Sequence, residues 1–180
     1  MGAVNTVVVK DGKSYGHNTD GAGFSENLRL HGFAPSGKKV TIVGAGGAGS
    51  AVSTQLALDG AASISIFNIH DEFWDTTITR IESLSKETGV KVTLSDLAER
   101  DHLASSIAES DLFVNATRAG AGDLIDQFVI DEDMLHEGLT GAVTVYYPLE
   151  SKLIKMSKAH GLAAYGGLGM LLQQAALAEK

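Results

Sequence analysis

The sequence predicts an α/β fold in which a doubly wound parallel sheet follows a short β-hairpin and a linking helix. Three observations predict it. Along most of the chain, β-branched runs alternate with apolar-periodic segments of about 10 to 15 residues, the pattern of parallel strands joined by helical crossovers. A glycine-rich stretch, Gly44-Ala45-Gly46-Gly47-Ala48-Gly49, falls between one such run and the helical segment after it. Near the start, Asp11-Gly12 separates two short runs, which is a hairpin signal.

The elements follow in order. Residues 4–10 and 13–18 form the hairpin strands. Asp20 caps a helix over 20–31, with Phe24 and Leu28 one turn apart and Gly32 as its stop, and 35–38 is a linker. Residues 39–43 are a buried-type strand, and the small, apolar segment 47–58 is a tightly packed helix. A second strand covers 63–68. The helix over 71–88 carries Trp74, Ile78 and Ile81 at the spacing of a core stripe. A third strand covers 90–94, and the helix over 95–108 turns Leu97, Leu103 and Ile107 inward. Residues 112–115 and 142–146 are the fourth and fifth strands. A helix over 152–159, a short strand over 162–165 and a helix from 168 complete the chain. No internal repeat or low-complexity tract interrupts this order.

Composition narrows the function. With 180 residues, 44% hydrophobic and 20% charged, the chain is an ordinary globular protein, large enough for one domain plus an extension without covalent staples. The absence of cysteine excludes disulfides, thiolate catalysis and cysteine-based zinc sites. None of the six histidines falls in a pair with ligand spacing, so no metal is expected. A net charge of -8 argues against nucleic acid or an anionic membrane as partner. There is no apolar run of membrane-spanning length, and the first residues lack the pattern of a secretory signal, so a cytoplasmic protein is expected.

Val40 to Val43 runs straight into Gly44-x-Gly46-x-x-Gly49 and then into a helix, the strand–turn–helix context of a Rossmann-type dinucleotide site. Gly44 permits the tight turn, Gly46 leaves room for the pyrophosphate, and Gly49 lets the helix approach the sheet. Backbone N–H groups of Gly44, Ala45, Gly46, Gly47 and Ala48 surround the helix N-terminus, where anions bind. A glycine turn that only packs closely is the plainer alternative. An S-adenosylmethionine domain is another, although it needs the third glycine less. At the end of the second strand of the sheet, Asn68 and Asp71 lie where a ribose is read. Residues 68–74 contain no arginine or lysine for a 2′-phosphate, so the cofactor is NAD or NADP with NAD favoured. Asp71 serves equally well as a helix cap.

Several blocks resemble the shikimate/quinate dehydrogenase family. Gly2-Ala3-Val4-Asn5-Thr6 and Gly16-His17-Asn18-Thr19-Asp20-Gly21 are similar to its substrate-side signatures. Gly44 to Gly49 and Asn115-Ala116-Thr117 match its cofactor side, and Tyr147-Pro148-Leu149-Glu150-Ser151 resembles its tyrosine-containing strand end. Gly167-Leu168-Gly169-Met170-Leu171 with Gln174 matches its closing helix. The blocks stand in family order and cover nearly the whole chain.

The resemblance implies an NAD(P)-dependent oxidoreductase acting on a ring hydroxyl of shikimate or quinate. It makes Asp20 one of the catalytic pair, gives Asn5 and Gln174 to other ring hydroxyls and places Tyr147 at the cleft. Asn115, Ala116, Thr117 and Gly167 join the cofactor side. Each of the substrate-side residues has a plainer reading: Asp20 as a cap, Asn5 as a turn residue, Gln174 as a solvated helix position and Tyr147 as packing.

The chain also departs from the family. The family's serine pair and catalytic lysine belong to an N-terminal domain for which this chain has no matching motif. Thr144 stands where the family has aspartate, and one residue is missing between Tyr147 and Pro148. After Asn115-Ala116-Thr117 the chain reads Arg118-Ala119-Gly120-Ala121 in place of a proline-containing segment. Arg118, beside the cofactor-side motif, is placed to touch a phosphate, but the favoured reading is that it faces solvent.

The resulting expectation is a chain truncated at both ends. Residues 1–32 would be a substrate-domain remnant with its linking helix, 37–165 the Rossmann domain, and 166–180 a returning helix. Phe24, Leu28, Met170 and Leu171 would then form an exposed apolar patch that drives association, either as a homo-oligomer or with a chain supplying the missing domain. The alternative function is a non-catalytic dinucleotide-binding module.

Overall fold

A computed structural model describes residues 3–179, so Gly2 of the first family-like block lies outside the described residues. The hairpin pairs β1 (Thr6–Lys10) with β2 (Lys13–His17) in antiparallel register from Thr6↔His17 to Lys10↔Lys13. Asp11 and Gly12 both take positive φ, 52° and 74°, as a two-residue turn that matches the strand twist requires. The linking helix α1 (Asp20–Leu30) follows. The sheet is then built from β3 (Lys39–Val43), β4 (Ser63–Asn68), β5 (Lys91–Asp96), β6 (Leu112–Asn115), β7 (Thr140–Val143) and β8 (Ala164–Tyr165). The intervening helices are α2 (Gly47–Leu58), α3 (Trp74–Thr88), α4 (Arg100–Ala108) and α5 (Lys152–Ala159), with α6 (Gly167–Ala178) closing the order. All strand pairs in the sheet are parallel, in the order β5-β4-β3-β6-β7-β8. The direction of winding reverses between β3 and β6, and an open α/β sheet has its crevice at such a point.

Period-two alternation explains the two cores. Val40, Ile42, Ile64, Ile66, Leu112 and Val114 face one side, where Phe24, Leu28, Val52, Leu56 and Met170 cover them. Val43, Phe67, Phe113 and Val143 face the other, under Leu103, Ile107, Leu153 and Ile154. Thr41 is buried inside β3, and its hydroxyl is satisfied by Ser106 Oγ at 2.7 Å and Ser110 Oγ at 2.8 Å.

α1 packs between α2 and α6. A methyl group at Gly21 would collide with the Ala51 carbonyl of α2, and one at Gly23 would come within 2.7 Å of Gln174 Cβ on α6. This close crossing corrects the expected apolar patch. Phe24, Leu28 and Met170 are 2%, 0% and 7% exposed, and only Leu171, at 40%, faces outward.

Other expectations shift for local reasons. Asp20 is not a cap: Thr19 holds that position, and Asp20 is the first helical residue. α3 starts at Trp74 because the Asp71 carboxylate accepts the Phe73 N–H (3.0 Å), closing a turn that competes with helix. Of the predicted stripe Trp74–Ile78–Ile81, only Ile81 is buried, with Thr77 beside it, while Trp74 stacks on His70 at 4.4 Å. β5 runs on to Asp96 because its ladder with β4 continues to Asn68↔Asp96. A turn in which Asp96 Oδ1 accepts the Ala98 N–H then delays α4 to Arg100. β7 lies earlier than predicted, since its ladder with β6 ends at Asn115↔Val143 and leaves residues 144–146 outside the sheet. β8 is two residues long, and two 3-10 turns, Gly122–Leu124 and Glu132–Met134, went unpredicted. Among the described residues no helix is long and apolar enough to cross a membrane.

Asp111 ties together the strand starts at the opposite end from the crevice. Its carboxylate accepts the Lys39 N–H (2.9 Å) and Lys38 Nζ (3.0 Å), while its backbone bonds Lys39 and Thr140. Partial burial pushes this carboxyl up. The Lys39 N–H and the two lysine charges outweigh that and hold it below the ordinary aspartate value. A lowered carboxylate stabilises the fold above its unfolded value, and that stabilisation disappears as pH falls through the folded value. Thermal melting from pH 6 to pH 3 should therefore show a steeper acid loss for the wild-type chain than for Asp111→Asn. Phe24→Ala should cost about 3–5 kcal/mol in chemical denaturation if α1 is integral to the core.

Candidate functional site

At the carboxyl ends of β3, β4, β6 and β7 lies a cleft of about 520 Å³, lined by Gly44, Gly46, Ala48, Asn68, Ala116, Thr117, Arg118, Ala121 and residues Thr144 to Tyr147. That volume suits a small ligand. The glycine loop forms its floor. Gly44 has φ 104°, and a methyl group there would come within 2.9 Å of Thr117 Cγ2. A methyl at Gly49 would collide with the Gly44 carbonyl. At Gly46 and Gly47, by contrast, a methyl would meet no atom within 4 Å, so the loop is tight underneath and open toward the cleft.

α2 begins at this loop with Gly46 as its cap and no side-chain cap bond, leaving the first-turn N–H groups free for an anion. The lining carries no carboxylate in a chain of net charge -8, so repulsion of an anionic ligand is confined to the wider surface. Arg118 is both at the rim and exposed, paired with Asp123 at 2.7 Å.

The loop is held from beneath. The Ala45 N–H donates to Asn68 Oδ1 (3.0 Å), and the Ala45 carbonyl accepts from Arg80 Nη2 (2.7 Å) and Ser50 Oγ (3.2 Å). Asn68 also donates to the Ile69 carbonyl, at 2.9 Å. Arg80 is half-buried, and that burial lowers its pKa from the ordinary arginine value.

Several sequence-predicted residues therefore support the cleft without lining it. Ala45 is buried with both backbone groups engaged. Asn115 is 2% exposed and shapes the turn, its Oδ1 accepting from the N–H (3.0 Å) and hydroxyl (2.7 Å) of Thr117 and its Nδ2 donating to the Ala119 carbonyl (3.0 Å). Gly167 is buried where a side chain would collide with the Thr144 carbonyl, and its N–H donates to the Val145 carbonyl at 3.0 Å. Gly47 and Asp71 are outside the lining. Tyr147, expected on the substrate side, is a lining residue and 74% exposed.

A second group assembles from three distant parts of the chain. Asn5 Nδ2 lies 2.9 Å from Asp20 Oδ1, 3.0 Å from Thr19 Oγ1 and 3.3 Å from Gln174 Oε1. The Thr19 N–H donates to Asn5 Oδ1 (3.0 Å), and the Thr19 hydroxyl reaches Gln174 Oε1 (3.2 Å). Asn5 comes from the hairpin, Asp20 from the start of α1 and Gln174 from α6. Two amides, a hydroxyl and a carboxylate offer donors and acceptors side by side, the chemistry that recognises a polyhydroxylated molecule. Gln174 lies seven residues along α6 from Gly167, a rise of roughly 10 Å along the helix at 1.5 Å per residue.

Sequence reasoning missed Thr19 as a site residue, along with the wall residues Thr144, Val145, Tyr146 and Ala121. The rule that ligands lie beyond the carboxyl ends of parallel strands would have found the segment after β7. No group of three or more metal-ligating side chains gathers among the described residues.

Comparison with known proteins gives a consistent picture. No family model matches the chain. It is 42% identical over 184 residues to a shikimate dehydrogenase (NADP(+)) of Streptococcus uberis, with all of this chain and 62% of that protein covered. It is 36% identical over 177 residues to a quinate/shikimate dehydrogenase of Escherichia coli, covering 98% of this chain and 62% of the relative. The crystal structure of shikimate 5-dehydrogenase from Listeria monocytogenes, in complex with shikimate and NAD, superposes with a TM-score of 0.94 at 40% identity, over 98% of this chain and 62% of that one. The chain thus spans less than two thirds of the length of these relatives.

If Asn5 is the hub that fastens the hairpin to α1 and α6, Asn5→Ala should accelerate amide exchange across Thr6–Lys10 and leave the parallel sheet unchanged. Equal acceleration in both would show a global effect instead.

Proposed function

A homologue of shikimate and quinate dehydrogenases along its whole length, the chain is, we propose, the dinucleotide-binding part of an NAD(P)-dependent oxidoreductase that acts on a ring hydroxyl of shikimate or quinate. Its strongest support is the glycine loop, packed beneath at Gly44 and Gly49 and open at Gly46 where a pyrophosphate would approach. Nicotinamide dinucleotide, when bound, supplies the hydride acceptor.

The remaining roles belong to the chain's own residues. The first-turn N–H groups at Gly47 and Ala48 hold phosphate oxygens against the positive end of α2. Asn68 and Asp71 face the ribose side, and the wall from Ala116-Thr117 to Tyr147 encloses the other end. Asn5 and Gln174 hold ring hydroxyls, and Asp20 orients the hydroxyl that reacts and stabilises a cation beside it. We place the enzyme in the cytoplasm and the ligand preference with NAD, because Asp71 would repel a 2′-phosphate and residues 68–74 offer no cation to bind one. Exposed Val7, Val9 and Leu172, at 61%, 71% and 64%, favour a second reading as well, a dinucleotide-binding module that works with a partner chain or as a homo-oligomer.

Calorimetric titration tests the cofactor assignment. NAD should bind at least about tenfold more tightly than NADP, a difference of about 1.4 kcal/mol, and Asp71→Ala should narrow the gap. Equal binding of the two by the wild-type chain removes the role of Asp71, and binding of neither removes the site. With shikimate and NAD, Asp20→Asn should turn over about 10²–10⁴-fold more slowly than the wild-type chain, since Asp20 orients the hydroxyl that reacts. Turnover at the wild-type level would contradict that role of Asp20.

A further inference from the structure

Arg80 reaches the glycine loop from behind, and nothing in the dinucleotide motif requires it. It sits two turns into α3, with Nη2 2.7 Å from the Ala45 carbonyl oxygen. Burial has stripped part of the water from this guanidinium, and no carboxylate among the described residues compensates it. A half-desolvated cation whose loop partner is a neutral carbonyl is costly to maintain. A diphosphate on the far side of the same peptide would supply the missing counter-charge.

The peptide geometry supports this. In a trans peptide the carbonyl and the following N–H point in opposite directions, so anchoring the Ala45 carbonyl on Arg80 turns the Gly46 N–H the other way. Gly46 lines the cleft, where a side chain would meet open space. A charged donor on the carbonyl also polarises the peptide and makes that N–H a stronger donor. Ser50 Oγ donates to the same carbonyl, and Asn68 Oδ1 holds the preceding Gly44–Ala45 peptide through the Ala45 N–H, so the orientation is held from both sides of Ala45.

We propose that Arg80 is a positioning residue for the diphosphate of the bound dinucleotide: it orients the Ala45–Gly46 peptide toward the phosphates and places an unpaired positive charge behind them. This rests on the dinucleotide reading of the cleft and extends it to a residue outside the glycine motif. Arg80 faces the diphosphate common to NAD and ADP and is indifferent to the nicotinamide and to the 2′ position.

The test is calorimetry on the folded wild-type chain and on Arg80→Met and Arg80→Lys, with NAD, ADP and adenosine at low and high salt. Arg80→Met should weaken NAD and ADP about tenfold, reduce the salt dependence of both and leave adenosine unchanged. Arg80→Lys, which keeps the charge and a donor, should recover most of the loss. A general structural defect would weaken adenosine equally and would not be rescued by lysine, and that outcome overturns the proposal. If the wild-type chain binds NAD and Arg80→Met binds it as well, the Arg80 role fails while the cofactor site stands. If the wild-type chain binds neither NAD nor ADP, both fail together. Should Arg80→Met not fold, the wild-type protein still decides: ADP should shift the Arg80 Nε–H resonance and adenosine should not. The absence of a shift with ADP overturns the proposal.

Discussion

The approach of α2 to the end of β3 is the constraint on which the cleft depends. Gly49 packs so closely on the Gly44 carbonyl that no side chain fits between them, and Gly44 takes a positive φ against Ala116 and Thr117. These contacts fix how far the helix N-terminus stands from the strand ends. With that distance fixed, the first-turn N–H groups converge on one side of the cleft and the Ala116-Thr117 segment closes the other. A bulkier residue at either glycine would move the helix outward and separate them.

A second close approach builds the polar cluster. α1 is pressed between α2 and α6 because Gly21 and Gly23 present bare backbone to both neighbours. The crossing at Gly23 lies directly on Gln174, the residue that joins Asn5 and Thr19 in hydrogen bonding. Packing and polar convergence are therefore one event: the helix contact that buries Phe24, Leu28 and Met170 also brings residues 5, 20 and 174 within hydrogen-bond reach. Since the Gly167 N–H at the start of α6 donates to the Val145 carbonyl of the cleft wall, the helix that carries Gln174 begins at that wall.

The electrostatics follow the same division. The chain is acidic overall, yet the cleft lining has no carboxylate, and the helix dipole draws an anion there with Arg118 at the rim and Arg80 behind the loop. Backbone dipoles are useful here because they are aligned by the fold and do not reorganise when a ligand binds. The acidic groups do their structural work elsewhere, as Asp111 does at the opposite end of the sheet and Asp59 does against Ser25 and Arg29 of α1.

The sequence by itself determined the strand–helix alternation, the hairpin at Asp11-Gly12, the parallel sheet and the position of the glycine loop. Each rests on local periodicity or on backbone freedom at particular residues. Most strand and helix ends also follow from local pattern, and the misplaced ones fail where something non-local or a competing turn intervenes. Asp71 and Asp96 divert their N–H neighbours into turns, and the β6 ladder stops β7 at Val143. Family-like motifs pointed to Asn5, Asp20 and Gln174, but periodicity alone read them as turn, cap and solvated helix face. Only the tertiary structure decided that they meet, that Asn115 and Ala45 support the cleft without lining it, and that Arg80 lies behind the loop. The physical reason is contact across long separations. A side chain 169 residues away, or a guanidinium from the next crossover helix, leaves no local signal, because its partner exists only once the helices have packed.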